Sequence, residues 1–261
     1  MLRTGGCSGS QLASGAAAGA RRGVARALDQ MNSRSHNTPK ASVQRASLLL
    51  LLLSADVFST VLHIIKHVVV ASASPAGAHI SAYLEIYHLA KLLCIVVLFI
   101  YVLRSTRVTA FAVWVLVFSF MLLDDALLVH QTIGHYLATH AGLRWGIPAL
   151  PPRVYELAVL ALAGMPLSIV LALTYLRSTD LFRKTSRAML LLLLALVFFG
   201  LIVDAASVLS PGPAIRLALD IIEDAGEMVV FSLIIWCVSL LAVRTGRSHA
   251  VQKHRGHYAT S

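Results

Sequence analysis

Ten of the twelve carboxylates in this chain lie inside stretches apolar enough to cross a membrane: Asp56, Glu85, Asp124, Asp125, Glu156, Asp204, Asp220, Glu223, Asp224 and Glu227. An ionisable group in hydrocarbon costs roughly 2.5–3.5 kcal/mol on insertion scales, so such groups persist where they pair, line a cavity or bind something. The clearest group is Asp220, Glu223, Asp224 and Glu227, spaced i, i+3, i+4 and i+7. On a helix that spacing makes one narrow stripe. Four carboxylates on one face repel one another unless several are protonated or cations sit among them. Asp220 and Glu223 also suit an ordinary helix start, where acids are favoured. Glu227, about two turns deeper on a helix of roughly 3.6 residues per turn, does not.

Other stretches carry similar chemistry. Asp56, Thr60, His63 and His67 share a helix face, and His63 and His67 form an i, i+4 pair able to reach one ion. A single such histidine would read as a packing residue. The run from Glu85 to His88 has the Glu-x-x-His spacing of carboxylate-bridged di-metal bundles, without the second copy that those sites need. Asp124 and Asp125 point about 100° apart on a helix. If that helix runs on, Gln131 and His135 share the face of Asp124 and His130 aligns with neither aspartate. Lys66 and Lys91 are the only basic residues in the spans and are natural ion-pair partners for these acids.

Two lysines cannot balance ten acids, and a divalent cation would supply the missing charge. The expected metal ligands are His63, His67, Glu85, His88, Asp124, Asp125, Glu223, Asp224 and Glu227. Asp56, Glu156, Asp204 and His130 are expected around them, orienting the ligating side chains. Carboxylate with imidazole and no thiolate suits Zn, Mn or Fe.

The elements that must position these groups are helices. The chain has 261 residues, 57% hydrophobic and 13% charged, too apolar for an ordinary soluble domain. Six runs, about 47–71, 81–103, 108–132, 154–176, 188–210 and 218–243, approach or exceed the roughly 20 residues needed to span a bilayer core. The expected fold is an all-α polytopic membrane bundle of six transmembrane helices over 47–243. A basic N-terminal tail, 1–46, is expected to be disordered, because its Gly, Ala, Ser and Arg cannot bury enough apolar surface. That tail also resembles an organelle transit peptide, with Met31 as an alternative start. A basic C-terminal tail covers 244–261.

Lys and Arg in loops and tails set the orientation. Seventeen fall on the side of the termini, against Arg144, Arg153 and Arg216 opposite. Both termini are therefore expected in the cytoplasm, of a bacterial inner membrane, with the acids and seven of the eleven histidines toward the outside. The formal charge of +10 is mainly this topology signal rather than a nucleic-acid footprint. The loop 133–153, with Gly134, Gly142, Gly146, Pro148, Pro151, Pro152 and Trp145, is expected to cap the outer mouth, and Pro166 to kink the fourth span.

No Gly-rich phosphate loop, nucleophile elbow or Cys-x-x-Cys is present. The leading expectation is an outward-facing acidic and histidine pocket holding a divalent metal ion. Metal-activated water would then act on a lipid or lipid-linked substrate, although no nucleophile or oxyanion donor is identifiable. The alternatives are a proton- or cation-coupled transporter centred on Asp56, a haem protein using His63 or His67 with His88, and a non-catalytic structural membrane subunit.

Overall fold

The computed structural model describes residues 39–68, 75–145, 152–210 and 212–258. They are helical almost throughout, with no strand among them: α1 Pro39–Val68, α2 Pro75–Thr106, a 3-10 turn Thr109–Phe111, α3 Ala112–Leu127, α4 Val129–Trp145, α5 Pro152–Arg177, α6 Asp180–Val197, a π-helical segment Phe198–Val203, α7 Asp204–Leu209 and α8 Pro213–Tyr258. Four helices begin on a proline, where the missing N–H costs nothing and the fixed φ suits the first turn. Among the described residues six helices are long and apolar enough to cross a membrane: Ala46–Lys66, His79–Thr106, Thr109–Leu127, Arg153–Arg177, Asp180–Ser207 and Pro213–Gly246.

The helical hairpins are closed by local hydrogen bonds. After α2 the chain turns through Arg107 at φ 54°, with its N–H on the Leu103 carbonyl at 3.0 Å. After α3 it turns through Leu128 at φ 51°, with its N–H on the Asp124 carbonyl. This second break interrupts a run that sequence periodicity continues to residue 132. The segment expected as a capping loop is helical through Trp145 instead. Gly134 does not break it, because that position is buried against the Glu156 backbone, where any Cβ would collide. Residues 146–151 lie outside the described residues, as do 1–38, 69–74, 211 and 259–261. Of the two expected tails, residues 39–46 and 244–258 are helical. α5 remains one helix through Pro166.

Leu49–Ser261 forms one compact unit, and Met1–Leu48 a separate one whose described part is the start of α1. In the larger unit the apolar core gathers at one end of the bundle. Phe99, Trp114 and Phe118 stack at centroid separations of 5.6–6.1 Å, and Phe111 meets Phe182 edge-on. Met189, Phe231, Ile234 and Val238 complete the cluster. Trp114 donates its indole N–H to Ser186 Oγ at 2.9 Å, which satisfies a polar atom inside that core. Helices α2, α3 and α8 supply most of this packing.

α1 is different. Its residues buried in the unit are Asp56, Ser59 and His63, while Val57, Phe58, Val61, Ile64 and Ile65 are exposed. Leu52 packs against the apolar core, while the fully buried contacts of the helix are polar.

Close helix approach also depends on glycine. At Gly226 on α8 a Cβ would run into the Phe199 ring, whereas at Gly164 on α5 nothing lies within 4 Å. Gly226→Ala is therefore expected to destabilise by about 1–3 kcal/mol through overpacking. Gly164→Ala is expected to be neutral or to stabilise by up to about 1 kcal/mol through helix propensity. Thermal unfolding of the purified variants distinguishes the two, and equal shifts would contradict this packing.

Candidate functional site

A cavity of about 920 Å³ lies between the helices, bordered by Val117, Leu171, Leu196 and Phe231 of the apolar core. Ser59, His63 and Lys66 of α1 line its polar part, together with Glu85 and His88 of α2, Asp124 and Asp125 of α3, His130 and Gln131 of α4, and Asp224 and Glu227 of α8. Its other part is apolar, formed by Val117, Leu171, Leu193, Leu196, Met228 and Phe231. Such a mixed wall matches the usual composition of a small-molecule pocket.

The acids do not gather around one point. Each histidine on the cavity wall takes its own aspartate: His63 Nδ1 lies 2.7 Å from Asp224 Oδ2, His88 Nε2 lies 3.1 Å from Asp125 Oδ2, and His130 Nδ1 lies 2.7 Å from Asp124 Oδ2. Asp124 also accepts the backbone N–H of His130 at 3.0 Å, one of the donors that the first turn of α4 leaves open. The break at Leu128 makes this contact possible. In an unbroken helix His130 would have pointed away from Asp124.

Apart from the cavity wall lies a closed polar knot. Lys91 on α2 is ion-paired to Asp56 on α1, and the two side chains are 4% and 2% exposed. Tyr87 donates to Asp56 Oδ1 at 2.7 Å, and Ser232 on α8 donates to Asp56 Oδ2 at 2.6 Å. Lys91 further donates to the Met228 carbonyl at 2.8 Å and to Ser232 Oγ at 3.0 Å, with its ammonium 4.7 Å from the Tyr87 ring centre. Both charges are thus well supplied with partners, which is the condition under which a buried pair is tolerated. The ion pair between Asp56 and a span lysine is legible from sequence. Tyr87 and Ser232 are not, because a lone hydroxyl in an apolar helix carries no mark of its neighbour.

The stripe on α8 divides. Asp224 and Glu227 reach the cavity, whereas Asp220 accepts a hydrogen bond from the Ser207 hydroxyl on α7. Glu223 lies on the same helix, half-buried, and is not part of the cavity wall as described. Glu227 rests its carboxylate on Gly200 in the π-helical segment, where a Cβ would occupy the same space. Single π turns of this kind recur at functional sites.

Among the described residues no three His, Cys, Asp or Glu side chains are placed to hold one metal ion. Of the nine ligands expected from sequence, His63, Glu85, His88, Asp124, Asp125, Asp224 and Glu227 line one cavity, Glu223 does not, and the His67 side chain lies outside the described residues. The expected orienting acids are engaged elsewhere. Asp56 holds Lys91, Asp204 accepts from Arg153 at 2.6 Å, and Glu156 packs on Gly134. The aspartates read as ligands, Asp124, Asp125 and Asp224, are the ones that orient imidazoles.

Residues 46–243 match the family described as Domain of unknown function (DUF8692). The chain belongs to the DUF8692 family. The DUF8692 match begins where the first span begins and contains every described residue of the cavity wall. No match was found among curated proteins or among solved structures.

Asp124 closes the α3–α4 break, whereas Glu85 is exposed. Asp124→Ala is therefore expected to cost about 1–3 kcal/mol by stranding the His130 donors. Glu85→Gln should stay within about 0.5 kcal/mol of the parent. Chemical denaturation in mixed micelles measures both, and a greater loss at Glu85 would contradict this division of roles.

Proposed function

We propose that this DUF8692 protein is an integral membrane protein that takes a lipid-like ligand into the cavity between its helices. The observation that carries the reading is the mixed wall: ionisable and hydroxyl groups together with leucine, valine and phenylalanine around a 920 Å³ space. That space suits a molecule with a polar head and an apolar body. The one-sided distribution of Lys and Arg supports both termini in the cytoplasm of a bacterial inner membrane, with the polar end toward the outer face.

A bound divalent ion, Zn, Mn or Fe, is the second reading. It is favoured by seven of the nine expected ligands facing one cavity, with Asp224 and Asp125 then orienting the imidazoles of His63 and His88 rather than ligating the ion. A proton-coupled carrier centred on Asp56 is less well supported, because Asp56 and Lys91 satisfy one another within a closed knot. No reaction is assigned, since a nucleophile with its own base is not apparent.

Native mass spectrometry of the protein released from nanodiscs tests the reading. Gly164 lines the cavity with open space beside it, so Gly164→Leu with Leu193→Phe should fill the apolar part without a clash at residue 164. The parent is expected to carry one molecule of lipid mass that this variant loses. A lipid adduct retained equally by both proteins would contradict the cavity reading. A stoichiometric metal-mass adduct, lost in the His63→Ala, His67→Ala variant, would transfer support to the second reading.

A further inference from the structure

The polar end of the cavity is unevenly charged. Among the described residues five carboxylates line it, Glu85, Asp124, Asp125, Asp224 and Glu227, against one ammonium, Lys66. With all five ionised, even protonation of the imidazoles of His63, His88 and His130 leaves one negative charge over. A phosphate or sulfate head would meet net repulsion there, and in a low-dielectric setting that repulsion is weakly screened.

A second observation points to the ligand independently. Ser59 is 2% exposed, lies on the cavity wall, and its hydroxyl oxygen has no hydrogen-bond partner among the described residues. A buried hydroxyl without a partner costs about 1–3 kcal/mol by mutational measures, so it marks a place where something else completes the bond. Its height is fixed by two contacts between antiparallel helices. Asp56 meets Ser232 and His63 meets Asp224, and this register sets Ser59 and Thr60 level with residues 227–229 of α8. Thr60 already spends its hydroxyl on the Asp56 carbonyl at 2.9 Å. Ser59 and Glu227, both on the wall, therefore stand at about the same level, with Asp224 one turn above.

We propose that this level binds the primary ammonium group of an amphiphile, with Glu227 and Asp224 as counter-charges and Ser59 accepting one N–H. The inference rests on the lipid-like ligand proposed above and specifies its head group. A metal ion alone would leave the apolar part of the cavity without a role. A quaternary ammonium would balance the charge yet have no N–H for Ser59. A primary ammonium supplies both the charge and donors, and its alkyl chain extends along Leu193, Leu196 and Val117.

The test uses the full chain in phosphatidylcholine nanodiscs and displaceable binding of tritiated dodecylamine, with dodecyltrimethylammonium, dodecyl phosphate, dodecanol and zinc chloride as competitors. Dodecylamine is expected to bind one saturable site, with dodecyl phosphate and dodecanol at least about tenfold weaker, the scale of one charge-assisted hydrogen bond. Glu227→Gln should weaken dodecylamine about tenfold. Ser59→Ala should weaken it about threefold while leaving dodecyltrimethylammonium unchanged. Both variants must keep the parent's melting temperature; Asp224→Asn serves in place of either that does not.

Equal binding of dodecanol and dodecylamine would overturn the ammonium site and leave the lipid cavity standing. No saturable site for any of the four amphiphiles would overturn both. Displacement by zinc that depends on His63 would overturn the ammonium site in favour of a metal.

Discussion

The buried pair of Asp56 and Lys91 is the constraint around which the helices are arranged. Two full charges inside apolar spans are tolerable only together, and here Tyr87, Ser232 and the Met228 carbonyl take up the hydrogen bonds that the pair leaves open. The knot joins α1, α2 and α8 at one level. It matters most for α1, whose buried residues in the compact unit are polar and whose Val57, Phe58, Val61, Ile64 and Ile65 are exposed. In water such a helix would pack by its apolar stripe. Here that stripe is exposed instead, and the buried positions of the helix are Asp56, Ser59 and His63.

That mode of docking also creates the cavity. Because α1 meets the bundle through a few polar contacts rather than an interlocked apolar face, the space between α1 and the helices opposite is not filled by side chains. The aromatic cluster of Phe99, Trp114 and Phe118 closes the other end with dense packing. Apolar walls continue from that cluster into the lower cavity, and the histidine–aspartate pairs ring the upper part. Asp224 and Asp125, each held by a histidine, still repel Glu227. The π-helical segment contributes at the same place, since Gly200 leaves room for the Glu227 carboxylate and Phe199 packs on Gly226.

The six long apolar helices were legible because length and apolarity are properties of the sequence itself, and their ends fall near the expected ones. The fifth is the exception: its helix begins at Asp180, within a charged stretch that hydropathy alone excludes. The break at Leu128 carries no glycine, proline or asparagine to announce it. It exists because Asp124 captures the His130 amide after the chain has turned, a contact that periodicity rules out. Gly134 misled in the opposite sense, reading as a loop residue when its role is close approach to α5. The polar residues of the cavity were legible as a set, since charges in hydrocarbon are conspicuous. Their pairing was not, because the choice of Asp224 for His63 or Asp125 for His88 is made between helices. Ser59 lies one turn from both Asp56 and His63 on the same stripe, and that spacing was the signal available for it.

The most direct measurement is a double-mutant cycle on the central pair, Asp56→Leu and Lys91→Met, singly and together, read as unfolding free energy in bicelles. Each single change leaves a buried charge alone and is expected to cost about 3–5 kcal/mol, while the double variant, which removes both charges, should recover most of that loss. Additive losses, or single variants as stable as the parent, would show that α1 is held by something other than this pair.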